Sequence, residues 1–589
     1  MNRTILRVVA IGALLAAVAC SRPATESESA AAVPQGAAAA DPADAQGLAV
    51  TGPVDVILTG GKVITVDEKF TIAEALAVKG DRVVAVGPND AIGALAGPAT
   101  RRIDLAGRAV VPGMIDNHAH YMEEGVLWTD ELRLDNVTTR AKAIEMMKAK
   151  AASLPPDRWV YTLGGWSPDQ FTDDKKSFSR AELDQIDSAH PLLLQFTRGE
   201  TYVNSKAIEV LGLEARTEPW NKRDASGKSI GVIDALAPGG FAAGNEMTAK
   251  IPRPTLQDVE RNSMAMIREL NAVGLTASSG TCPDEFVPIF QGWAREGRLN
   301  KRFFCIVAAN TGADAGAVSK ALPGIEKMKL FQGDNWVDHI AYGEGLYGPA
   351  GDSMVAPKGT QPPEAFEQWG RIAREVARAG MPLHAHTTLE HTFNGFLDEI
   401  EKINKEFPVR NLRWTLIHDE QVTAAHLERM KNLGLYAAIQ PRATIMGGIY
   451  QRQHGEERAA QMPNFRLIQD SGIIWGLGTD AFEVNQYNPF VTLAYAVTGK
   501  MVGGTVVNRA TVSREDALIA HTRRNALIIM QENNLGSIAP GKLADLLVLD
   551  RDYLTVPADQ IRDIRPAITM VGGRVVYDAA APVTTTAAR

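Results

Sequence analysis

Cysteine is nearly absent, with three in 589 residues and none in a Cys-x-x-Cys pair. That excludes a thiolate-rich structural zinc site and a dithiol redox motif. A dense Lys/Arg run is also missing, and the net charge of −8 leaves no concentrated basic surface for nucleic acid. No Gly-x-Gly-x-x-Gly follows a first strand and there is no Walker loop, so the usual cradles for nucleotide phosphates are excluded. The apolar run at residues 8–19 is too short to span a bilayer comfortably. What is present, 45% apolar and 22% charged residues, fits a globular enzyme or binding protein for small molecules.

The first 20 residues read as a leader. Arg3 and Arg7 supply the positive end, the apolar run follows, and it closes on Ala17-Val18-Ala19-Cys20. That ending resembles a bacterial lipobox, in which the cysteine becomes the acylated first residue; the alternative is a secretory leader whose cut site adjoins a cysteine. Residues 21–50, rich in Ala, Ser, Pro and Glu, read as a disordered tether. The chain is therefore expected to be exported, as a periplasmic or membrane-anchored lipoprotein of a bacterium, with any membrane contact made through Cys20. Cys282 and Cys305 either pair in that oxidising setting or serve as small buried hydrophobes.

Both ends of the remaining chain are β-like. Short apolar runs separated by tight turns fill residues 54–111, including a hairpin about Lys79-Gly80-Asp81, and the same style returns at Ala544–Asp550, Ile568–Val571 and Arg574–Tyr577. The middle alternates helix, glycine and apolar strand. Residues 256–273, 366–378 and 424–433 have helical spacing, and each is followed by Gly274, Gly380 or Gly434 and then a strand-like run. This is the pattern of a parallel sheet with crossover helices, and either a (β/α)8 barrel or an open doubly wound sheet satisfies it.

Chemistry concentrates at strand ends. His118 and His120, two residues apart after a buried strand, point the same way and can share one cation. His386 follows Leu383, His418 follows Ile417, and Asp480 follows the run 474–479. Four successive strand ends bearing metal-competent groups are notable in a chain with 11 histidines. His384 shares the face of His386 and is a candidate neighbour of the metal, while His190, His339, His391, His426, His454 and His521 lack such placement. The centre expected is a divalent cation, with zinc the first choice and one or two ions.

The ordered set Pro112-Gly113-x-x-Asp116-x-His118-x-His120, His386, His418, Asp480 resembles the amidohydrolase superfamily of metal-dependent hydrolases. Gly536–Asp550 and Ala517–Thr522 with Asn525-Ala526 are similar to that family's closing segments, and Gly164–Trp166 and Val203–Ala207 resemble its branch containing N-substituted formamide deformylase. The resemblance implies an α/β fold: a distorted TIM barrel over residues 113–529, beside a small β-sandwich made from residues 51–112 and 530–580. Many family members carry a carboxylated lysine on the fourth strand. Here Asp338–Gly345 holds no lysine, and Glu344 becomes the candidate bridging carboxylate, the alternative being a buried glutamate beside a single metal.

The resemblance further implies hydrolysis of a non-peptide C–N bond of a small molecule by metal-activated water. Asp480 is the expected general base, and His418 the expected helper in polarising the carbonyl. Trp128, Trp166 and Tyr347 are candidate pocket residues, and Asp116 a candidate orienter of a ligand histidine. A lactonase or esterase on the same scaffold, or a catalytically silent binding lipoprotein, are the competing readings. A homo-oligomer is compatible with either.

Overall fold

The computed structural model describes residues 52–581, apart from 156–157, 198, 309–314 and 355–360. The expected leader and tether lie outside the described residues. Eight parallel strands dominate: β1 (Met114–Asp116), β2 (Leu275–Thr281), β3 (Arg302–Ala308), β4 (Val337–Glu344), β5 (Leu383–Thr387), β6 (Thr415–His418), β7 (Tyr436–Ile439) and β8 (Trp475–Leu477). They pair in sequence order from β1 to β8. Their apolar residues are buried because helices cover the outer face, among them Leu256–Ala272, Pro363–Arg378 and Ala424–Leu433. The open doubly wound alternative is thus replaced by a nearly closed barrel.

The seam between β1 and β8 is closed by other means. Asp480 N donates to His118 O at 2.9 Å, Thr479 N donates to Asp116 Oδ1 at 2.9 Å, and the Asn525 amide donates to Ile115 O and Leu477 O. Asn525 sits on the short helix Arg523–Ile528. Ile528 joins Ile306, Ile417 and Ala438 of β3, β6 and β7 in one apolar cluster, so this helix forms the floor of the barrel.

Two further sheets come from the chain ends. One has four strands, Val54–Thr59, Ala75–Lys79, Arg82–Gly87 and Ala96–Asp104; the other unites Lys62–Ile64, Ile72–Ala73 and Ala109–Pro112 with Leu546–Leu549, Pro566–Val571 and Arg574–Asp578. Strand alternation explains how the second sheet serves two cores. Val110, Leu546 and Val548 face the first sheet's Leu58, Leu76 and Val83, while Val111, Leu547 and Leu549 face the barrel cluster. A buried pair locks the parts together, with Arg302 Nε and Nη2 donating to the two oxygens of Asp545, each at 2.8 Å.

Between β1 and β2 the chain inserts a five-stranded sheet, Val160–Thr162, Leu192–Gln195, Glu200–Val203, Asn221–Arg223 and Ser229–Asp234, with its own core around Trp159, Leu193, Trp220 and Ile233.

Cys282 and Cys305 form a disulfide, resolving the two readings in favour of pairing. It ties the loop after β2 to β3 across a sequence separation of 23. Closing a loop of that size removes unfolded-state entropy worth about 3 kcal/mol. The Cys282→Ala/Cys305→Ala chain is therefore expected to unfold at a clearly lower urea concentration than the native one. An unchanged midpoint would show that the bridge contributes nothing.

Candidate metal centre

The carboxyl ends of the strands build the site. Asp116, fully buried, accepts from Tyr121 OH at 2.8 Å, Thr479 Oγ1 at 2.6 Å and the His118 backbone N–H at 3.3 Å. It thereby fixes the turn that carries His118, acting on the backbone and not on an imidazole. Gly280 makes room for that turn. A Cβ there would lie 1.7 Å from Ala119 O, and Ala119 N instead donates to Ser279 O at 2.9 Å. His418 and Asp480 both stand at positive φ, 85° and 58°. Each such residue costs roughly 1–3 kcal/mol and persists where its surroundings over-determine it, as functional sites do.

The six side chains singled out in the sequence come together. Glu344 Oε2 lies 3.5 Å from His118 Nε2 and 4.0 Å from His120 Nε2, while its Oε1 lies 2.9 Å from His386 Nδ1 and 3.3 Å from His418 Nε2. Asp480 Oδ1 is 3.6 Å from His118 Nε2 and 3.4 Å from His120 Nε2. Three overlapping groups have ligand atoms within 4.8 Å of one another: His118, His120 and Glu344; His118, His418 and Asp480; and Glu344, His386 and His418. Glu344 thus shows one oxygen to each of two histidine pairs, the arrangement of a bridging carboxylate.

Three observations test whether a cation fits. Both ring nitrogens of His118 are buried without a hydrogen-bond partner, a costly state unless something else occupies the lone pair. Its contacts of 3.5 and 3.6 Å to carboxylate oxygens are too long for hydrogen bonds, yet two ligands each about 2.0–2.1 Å from a tetrahedral zinc are ~3.3 Å apart. Burial lowers the His118 pKa and, with Arg442 nearby, takes His418 down to about 3, so these two imidazoles are neutral, the form that ligates. Against their burial, Asp480 and Glu123 raise His120, and Asp352 and Glu344 raise His386 to about 10, so a cation would displace a proton from each of those two. The donor set fits a divalent cation.

The outer nitrogens are held as well. His120 Nδ1 lies 3.1 Å from Thr281 Oγ1 and 3.3 Å from Glu123 Oε2, His386 Nε2 lies 3.0 Å from Asp352 Oδ1, and His418 Nδ1 lies 2.8 Å from Gln440 Oε1. Arg442, 2% exposed, places Nη1 3.3 Å from Asp480 Oδ2, Nη2 3.2 Å from Thr388 Oγ1 and Nε 2.6 Å from Glu420 Oε1, which also accepts from Tyr450 OH. Burial alone would raise the Asp480 pKa, but the His120 contact and the Arg442 guanidinium hold it well below the usual carboxylate range. Sequence reasoning missed Gln440, Arg442, Asp352 and Glu123, although the first two stand one and three residues beyond a strand end. His384 is fully buried in the barrel with both ring nitrogens unpartnered. His190 pairs with Asp187, His426 stacks on Phe393, and His521 donates to Ile115 O, away from the centre.

A cavity of about 540 Å³ opens onto this centre, lined by His120, Glu344, His386, His418, Asp480 and Arg442 together with Leu236, Phe241, Leu346, Tyr347, Trp369 and Phe396. Tyr347 is where it was expected. Trp166 is instead packed among Phe171, Phe178, Phe196 and Tyr202, and Trp128 lies against Phe482, Tyr487 and Arg133.

Comparison with known proteins agrees with the geometry. Residues 101–577 match the model of the amidohydrolase family. An N-substituted formamide deformylase of Arthrobacter pascens is 23% identical over 560 residues, covering 89% of this chain and 98% of its own. In fold, a metal-dependent hydrolase of Pyrococcus horikoshii superposes with a TM-score of 0.60 at 20% identity, over 85% of this chain and 99% of its own. A metal-dependent hydrolase of Pyrococcus furiosus gives 0.59 at 22% identity, over 85% and 100%. With its parallel barrel, its flanking β-sandwich and a family match over most of its length, the chain belongs to the amidohydrolase family of metal-dependent hydrolases.

Proposed function

We propose that this protein hydrolyses a non-peptide, amide-type C–N bond of a small molecule carrying an apolar acyl or amine group. The observation that carries the proposal is the convergence of His118, His120, Glu344, His386, His418 and Asp480 at the base of a cavity walled by Leu236, Phe241, Tyr347, Trp369 and Phe396. These six residues would hold one or two divalent cations, zinc being the first choice for imidazole and carboxylate donors. A cation in such a site supplies Lewis acidity, which lowers the cost of forming hydroxide from water at neutral pH.

The protein's own groups perform the proton transfers. Asp480, held ionised, accepts the proton of the attacking water and passes it to the leaving nitrogen. Arg442 holds Oδ2 of that carboxylate, leaving Oδ1 towards His118 and His120. Both ring nitrogens of His418 are engaged, one by Gln440 and the other beside Glu344 and His386, so we assign it to the ligand set and not to the carbonyl. The apolar wall excludes water from the neutral part of the substrate.

The resemblance to a deformylase of N-substituted formamides selects the first compounds to try. Purified protein with zinc is expected to release formate or carboxylate from N-formyl and N-acyl amines bearing aromatic or branched groups faster than from their ester isosteres. Faster turnover of lactones or esters would reassign the reaction to C–O bonds. Absence of turnover on either class would leave a binding protein.

We also propose export with acylation on Cys20, which the Cys282–Cys305 disulfide supports because such bonds persist in oxidising compartments. A Cys20→Ser chain is expected to leave the membrane fraction and remain soluble outside the cytoplasm. Unchanged membrane association would refute the lipid anchor.

A further inference from the structure

We infer that Asn525, on the floor of the barrel, dictates which nitrogen of His418 is free to ligate, through a one-way chain of amides formed by Asn117 and Gln440. This rests on the reading of His418 as a metal ligand given above.

The chain begins at two groups that cannot change role. Asn525 Nδ2 donates to Ile115 O and Leu477 O, one carbonyl on each strand flanking the seam. A carbonyl only accepts, so the Asn525 amide cannot turn over, and its Oδ1 must face Asn117. Asn117 Nδ2 donates to that oxygen at 2.9 Å, which leaves Asn117 Oδ1 to accept from Gln440 Nε2 at 2.7 Å. Gln440 then has only Oε1 to offer His418, 2.8 Å from Nδ1. The proton of the neutral imidazole is therefore on Nδ1. Nε2 keeps its lone pair, facing Glu344 Oε1 at 3.3 Å and His386 Nδ1 at 3.0 Å.

The surroundings enforce this polarity. Asn117, Gln440 and Asn525 are 0% exposed and His418 is 1% exposed, so no bulk water can repair a reversed amide. Turning any one of them would set two donors or two acceptors face to face in a buried place. Gly478 supplies the room, since a Cβ there would fall 2.2 Å from Asn117 Oδ1. Without the chain, the His418 proton is free to settle on Nε2, where it blocks ligation. Asn525, Asn117 and Gln440 are thus positioning residues for the half of the centre that Glu344, His386 and His418 form.

The test is zinc affinity, read by chelator competition on the full chain. Gln440→Leu and Asn117→Leu are each expected to bind zinc about 10–100-fold more weakly than the native chain, the scale of lost outer partners of a ligand histidine. Gln440→Glu, whose carboxylate still accepts from Nδ1–H but sets a second acceptor against Asn117 Oδ1, should bind zinc more weakly than native yet more tightly than Gln440→Leu. Combining Asn117→Leu with Gln440→Leu should weaken binding no further than Gln440→Leu alone, because both cut the same chain. Effects that multiply, or a Gln440→Leu affinity within about twofold of native, overturn the inference. Circular dichroism melts check that each variant is folded, and Asn525→Leu serves as a further member of the set. A native chain that holds no zinc sinks the metal reading and this inference together, whereas native zinc with unaffected variants sinks this inference alone.

Discussion

His118→Ala is expected to lose bound metal and turnover together. His118 is shared by two of the three ligand groups and faces both Glu344 and Asp480. Removing its imidazole leaves those two carboxylates without the neutral donor between them, so both the charge balance and the coordination set fail at once. Activity should fall roughly a thousandfold or more, at least the scale on which one electrostatic stabiliser is lost. Metal content by mass spectrometry and kcat/KM on the same preparation measure the two losses. His391→Ala, an exposed helical histidine whose ring lies against Phe366, is the control and should change neither. A His118→Ala protein that keeps stoichiometric metal would place the ion elsewhere.

Asp480→Asn is expected to separate the two properties. The amide keeps the shape of the carboxylate and an oxygen for Arg442 Nη1, while His118, His120 and Glu344 remain as donors, so most metal should stay. A neutral amide cannot accept the water's proton. kcat should therefore fall by about 10²–10⁴-fold, the usual contribution of a positioned acid or base, with a smaller change in KM. Near-normal turnover would remove Asp480 from this role and leave it a ligand alone.

These expectations use residues that were legible in the sequence, for a physical reason. The candidate metal ligands are imidazoles and carboxylates, they sit at strand ends where they can meet, and His118 and His120 share the parity of one strand. Helix limits were readable wherever a glycine stop and an apolar stripe coincided, as at Ala424–Leu433, which the structure reproduces, and at Pro363–Arg378, which begins three residues earlier than its spacing suggested. The residues around the ligands were not legible. Gln440, Asn117 and Asn525 are uncharged amides whose role depends on which way each amide faces, a property of the assembled barrel. Arg442 is of a residue type that usually sits at the surface, and it is buried because Glu420 and Thr388 arrive from the loops after β6 and β5. The inserted sheet at Val160–Asp234 escaped because its strands are three to six residues long and two of the large side chains in its core, Trp159 and Trp220, come from just outside them.

Glu344 was the most open of the sequence assignments, and the structure gives it a geometry that a turn glutamate would not need. One oxygen addresses His118 and His120 and the other addresses His386 and His418. A carboxylate in that position can serve one ion or bridge two, in place of the modified lysine that the family often uses.

The most direct measurement is anomalous diffraction at the zinc edge from crystals of the purified, zinc-loaded protein. Peaks should fall about 2.0–2.2 Å from the ligand atoms of His118, His120, Glu344, His386, His418 and Asp480. A protein that cleaves amides while this cluster shows no anomalous density, or that works undiminished after its metal is stripped, would contradict the assignment.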